Sequence, residues 1–156
     1  MKILTVGSLP PPINGQSLAF YTAVKSLRLK YIVRNVQTTF RGKGIASLFF
    51  LPIMYILKLI YCRLIFRPNA IYFVCSRTVT GSLRDVFLLL LFRMSPISIV
   101  NHIHGSSLVE FIDHLPQFYR KIVLYSYSRI NKNVVLSSLM KEQLEKVEEF
   151  KGKTLV

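Results

Sequence analysis

Two stretches of this chain combine residue types that can do chemistry. The first is Gly7-Ser8-Leu9-Pro10-Pro11-Pro12-Ile13-Asn14-Gly15-Gln16-Ser17, which joins a β-type segment to a helical one. Three prolines stiffen it, and Asn14-Gly15 permits positive φ angles at the turn. Gly15 falls at a helix N-terminus, where open backbone N–H groups and the helix dipole attract an anion. Lacking a side chain, Gly15 would let a phosphate approach, with Asn14 and Gln16 beside it. The plainer reading is a tight connection that uses glycine for backbone geometry. No Gly-Lys-Ser/Thr follows, so this is not a Walker loop, and the glycine spacing is not GxGxxG.

The second stretch is Val100-Asn101-His102-Ile103-His104-Gly105-Ser106-Ser107. Strand alternation puts His102 and His104 on one side, and Gly105 breaks the strand. A histidine at a strand's carboxyl end, followed by glycine, is placed to meet a ligand, and His104 is the candidate. The plainer reading is one core and one surface histidine. His-x-His supplies only two metal ligands, and Glu110 and Asp113 fall on the following helical segment, so no metal is expected. Two further pieces lie at the same kind of edge. Ser137, in Val135-Leu136-Ser137-Ser138, reads as a helix N-cap that could also line a cleft. Arg77, after Cys75-Ser76, could meet a phosphate or simply be solvated. The sequence offers no nucleophile elbow, supported Cys–His pair or paired carboxylates, so chemistry here rests on positioning and electrostatics.

The elements that must position these residues alternate. Strands are predicted at 3–6, 31–36, 70–75, 97–103, 133–136 and from 154. Helices are predicted at 16–29, 47–66, 82–94, 116–130 and 138–149, the last burying Met140, Leu144 and Val147. Ala19, Ala23, Val24 and Leu27 share one face of the first helix. Gly42 and Gly44 punctuate before the second helix, and Pro68 ends it. Such alternation predicts an α/β fold: a mainly parallel, Rossmann-like sheet with helices on both faces. Ligands in such sheets sit at the carboxyl ends of the strands.

Composition narrows the classes. The 156 residues are 51% hydrophobic, too apolar for a disordered basic tail. Two cysteines cannot build a disulfide scaffold, and they read as buried thiols in a reducing compartment. Twenty-one Lys/Arg against seven Asp/Glu give a net charge of +14. Residues 1–105 hold thirteen of the bases and one acid, Asp85. That front suggests an anionic partner. The bases are scattered singly among apolar residues, which favours a membrane surface over nucleic acid. The stretch 44–66 is too short to span a bilayer untilted. Its Phe49, Phe50, Tyr55 and Tyr61, flanked by Arg41, Lys43, Arg63 and Arg67, read as a packed helix or as an interfacial surface.

The opening Ile3 to Ser17 resembles that of family-four glycosyltransferases of the GT-B fold, those made for bacterial surface polysaccharides above all. Ile103-His104-Gly105 and Val135-Leu136-Ser137 resemble later pieces of the same family. The resemblance implies an N-terminal, acceptor-side domain over 1–156, with the nucleotide-sugar-binding C-terminal domain absent and no transfer by this chain alone. It implies a retaining hexosyl transfer from a nucleotide-sugar, used as substrate and with no metal or other cofactor, to a lipid-linked or saccharide acceptor. Gly15, with Asn14 and Gln16, would contact the donor diphosphate. His104 would act at the transferred sugar, and His102, Gly105, Arg77 and Ser137 would line the cleft. The expected place is the cytoplasmic, inner face of the plasma membrane, peripherally bound to anionic lipid. The rival expectations are a non-catalytic membrane-surface partner of a separate donor-domain chain, and an α/β nucleic-acid binder.

Overall fold

A computed structural model describes residues 1–11, 13–38 and 45–156. Pro12, Arg41, Gly42, Lys43, Gly44 and the Phe49 side chain lie outside the described residues. Six parallel strands form one sheet in the order β2-β1-β3-β4-β5-β6. They are β1 (Lys2–Gly7), β2 (Ile32–Gln37), β3 (Ala70–Val74), β4 (Ser98–His102), β5 (Lys132–Val134) and β6 (Thr154–Leu155). The helices are α1 (Gly15–Arg28), α2 (Ile45–Tyr61), α3 (Val79–Leu91), α4 (Leu108–Asp113), α5 (Gln117–Tyr127) and α6 (Ser138–Glu145). This is the expected α/β, Rossmann-like fold. The chain divides into two compact units, Met1–Tyr72 and Phe73–Val156.

In the first unit β1 pairs with β2 in parallel, Lys2 opposite Ile32 through Gly7 opposite Gln37. Ile3, Leu4, Thr5 and Val6 of β1 are all buried. The Thr5 hydroxyl keeps its burial cheap by donating to Asn35 Oδ1 at 3.0 Å. Helix α1 buries Ser17, Phe20 and Val24, so its inner face centres on Phe20, not on the alanines. The Phe20 ring stacks on Tyr72 at 5.9 Å. Helix α2 runs into a π-helical turn, Cys62–Phe66, and stops at Arg67 in the left-handed region before Pro68.

In the second unit β4 pairs with β5 and β5 with β6, again in parallel. Buried amides tie the strands together. Asn101 Oδ1 accepts from the Cys75 N–H, and Asn101 Nδ2 donates to Asn133 Oδ1. Arg129 closes the turn before β4 by donating to the carbonyls of Arg93, Ser95 and Ile97. Most boundaries shift by a few residues from the sequence expectation, and α4 is a short helix additional to the predicted spans; two of the shifts are instructive. Helix α3 begins at Val79, not 82, because the Thr78 side chain caps it by accepting from the Gly81 N–H. Helix α6 ends at Glu145, and a separate 3-10 turn, Glu148–Phe150, follows. That turn buries Phe150 against Tyr127, ring centroids 6.1 Å apart, and leaves Val147 only half-buried.

Candidate functional site

In the first unit the connection after β1 leads straight into α1. Asn14 is the N-cap: its side chain accepts from the Ser17 N–H at 2.8 Å, and Ser17 Oγ accepts from the Asn14 N–H at 3.0 Å. This reciprocal box satisfies two of the helix's open donors. It also corrects the expected turn geometry, since Asn14 is extended at φ −144° and Gly15 has no positive φ. The capping box needs Asn14 extended, so the left-handed freedom of Asn-Gly goes unused. A Cβ at Gly15 would meet open space, so neither packing nor backbone demands glycine there. Gln16 is half-buried in the first turn.

In the second unit two segments converge. His102 ends β4, and His104 follows on the same side, with ring centroids 4.0 Å apart. Gly105 takes φ +103°, a region closed to other residues without strain. A Cβ there would overlap the Arg77 guanidinium. Arg77 therefore lies directly over the Gly105 backbone, where its Nη1 donates to Ser107 Oγ at 3.0 Å. So Arg77 is an exposed cation at the strand ends, bonded to Ser107. Desolvation lowers the His102 pKa to about 4, helped by His104. Burial and then Arg77 lower that of His104. Both rings are neutral at pH 7. His104 Nε2 is enclosed and has no hydrogen-bond partner among the described residues. A neutral imidazole with one unsatisfied nitrogen can bond a hydroxyl once the residues enclosing that nitrogen move aside, while the exposed guanidinium beside it can meet a phosphate or a developing oxyanion.

Ser137 caps α6, its side chain accepting from the Met140 N–H. The cap is thus its observed bond, and none links it to His104 among the bonds of the described residues. Among the described residues no three His, Cys, Asp or Glu come together as metal ligands.

Sequence reasoning passed over the support beneath Arg77. Asp85 is wholly buried, accepts from the Ser76 N–H at 2.7 Å and pairs with Arg84 at 2.7 Å. Burial pushes its carboxyl up, opposed by Arg84 and the Ser76 bond. The same burial pushes the Cys75 thiol up to about 12, so it is an inert core group. Ser82 and Tyr119 hydroxyls bond at 2.8 Å across α3 and α5. A signal for Asp85 was present: it is the one acid in the first 105 residues and sits within a leucine-rich helix. No protein-family model matches this chain, and no curated protein is detectably similar to it.

Proposed function

We propose that this chain is the acceptor-side part of a glycosyltransferase that moves a sugar from a nucleotide-sugar to a lipid-linked oligosaccharide. The observation that carries the reading is the end of β4: His104 Nε2, unpartnered among the described residues, beside the Arg77 cation that lies over Gly105. The resemblance of the β1–α1 connection to that of such enzymes supports it, and so does the Rossmann-like sheet. A fold alone does not name a reaction.

The chemistry asked of these residues is modest. His104, neutral at pH 7, would hold a hydroxyl of the transferred sugar. Arg77 would stabilise negative charge near it. Donors of this kind stabilise a departing diphosphate without a covalent intermediate. The nucleotide pocket would come from a second domain or a separate chain, so the described chain alone is expected to make no product.

The test is sugar transfer from labelled nucleotide-sugars to a polyprenyl-diphosphate acceptor, measured in membranes of cells expressing the full gene product. Transfer should fall about a hundredfold or more in His104→Ala, the usual cost of removing one transition-state donor. The variant's melting temperature should stay near that of the parent. Transfer unchanged by His104→Ala, or product made by the isolated 156-residue chain, would overturn the reading.

A further inference from the structure

The strongest unassigned feature lies in the first unit, at the edge of the sheet. Edge strand β2 and helix α2 enclose a cavity of about 320 Å³. Arg34, Asn35, Leu57, Lys58, Tyr61 and Cys62 line it. The Arg34 guanidinium lies 5.0 Å from the Tyr61 ring centre and 5.3 Å from that of Phe66. Its charge is met by aromatic faces because residues 1–72 contain ten Lys/Arg and no Asp or Glu. No carboxylate of this unit can neutralise the cavity's cations.

Helix α2 and the π-helical turn after it carry two apolar stripes back to back. Tyr55, Leu59, Cys62 and Phe66 are buried. Phe50, Ile53, Leu57 and Tyr61 recur along the other side, and their exposure runs from 44% at Tyr61 to 61% at Phe50. Leu64 and Ile65 extend the exposed side. A helix apolar all round needs an apolar environment on both sides. Among the described residues no helix is long and apolar enough to cross a membrane.

We propose that this face docks on an anionic lipid surface. A lipid phosphate headgroup enters the β2–α2 cavity between Arg34 and Lys58, while Phe50, Ile53, Leu57 and Tyr61 enter the acyl boundary. The two chemistries select the occupant together. A soluble phosphate or a nucleic acid would satisfy the cations and leave the apolar stripe in water. A second copy of the face would bring ten more cations against ten. Only a lipid surface offers anionic and apolar partners side by side. This goes beyond the transfer reading and stands without it.

The test is co-flotation of the full chain with vesicles of phosphatidylcholine, with and without about one-third phosphatidylglycerol. The chain should float with the anionic vesicles and not with the neutral ones. Arg34→Gln/Lys58→Gln should weaken binding about thirtyfold, the effect of two surface-adjacent cations. Lys25→Gln/Lys30→Gln removes the same charge from the end of α1 and the turn after it and should weaken binding much less. Both pairs are exposed, so melting temperatures should stay near the parent, Arg34→Gln losing only its contacts with the Tyr61 and Phe66 rings. The chain has no tryptophan, so Ile53→Trp gives a single reporter whose emission should shift to the blue on anionic vesicles. Equal losses for the two double variants would overturn the proposal, since charge alone would then explain binding. So would an Ile53→Trp emission unchanged by vesicles, full competition by inorganic phosphate at matched ionic strength, or tighter binding to duplex DNA than to vesicles.

Discussion

At the residue scale, His102 and His104 make stability depend on pH. In the unfolded chain His102 takes its proton near pH 6.5, but in the fold only near pH 4. Between those values the unfolded state binds more protons, so stability falls as pH drops from about 6.5 to about 4. The melting temperature should fall across that window, and His102→Gln should flatten the fall; an unchanged slope in the variant would sink the assignment. Gly105 gives a second expectation. Gly105→Ala should cost about 1–3 kcal/mol in chemical denaturation, almost all of it from a φ that alanine resists, since the overlapping Arg77 guanidinium is the mobile end of an exposed side chain. Adding Arg77→Ala should return only the overlap part, and full recovery would mean the φ carries no strain. The facing of the two histidines was legible in the sequence because strand side chains alternate. Arg77 over Gly105 was not, because no local rule links positions twenty-eight residues apart.

At the element scale, caps decide the boundaries. Asn14→Ala should cost about 1 kcal/mol in thermal or denaturant unfolding, the usual worth of an N-cap side chain. Asn14→Ser should cost much less, since serine can accept the same N–H bond. If alanine is neutral, the Asn14–Ser17 box does not stabilise α1. The start of α3 turned on the same physics. Thr78 and Ser82 are both good caps by type, and Thr78 takes the role. Ser82 lies one turn in, where its hydroxyl donates back to the Val79 carbonyl at 2.9 Å and reaches Tyr119. Ser82 thus bonds a residue thirty-seven positions away instead of capping the helix.

At the scale of the whole molecule, charge is the dominant feature. Ten cations and no acid in residues 1–72 repel one another in the folded state. Raising salt from about 0.01 M to about 0.1 M shortens the Debye length from about 30 Å to about 10 Å. The melting temperature should therefore rise with sodium chloride over that range. A fall would mean that attractive ion pairs outweigh repulsion. Such pairs are sparse among the described residues, and Arg84–Asp85 is the one with a fully buried partner.

The sequence by itself determined the order of strands and helices, because hydrophobic period and Gly/Pro punctuation are local signals. It determined that the sheet is parallel, since strands separated by helices must be crossed over. It also determined the cationic front and the doubly apolar stretch of α2. Only the tertiary structure decided which of α2's two apolar stripes is buried. Periodicity marks a stripe as apolar but cannot say what packs against it. The tertiary structure alone placed Arg77 on Gly105 and left His104 Nε2 without a partner among the described residues. Those contacts join segments distant in the chain, and their geometry comes from how the strands are stacked in the sheet.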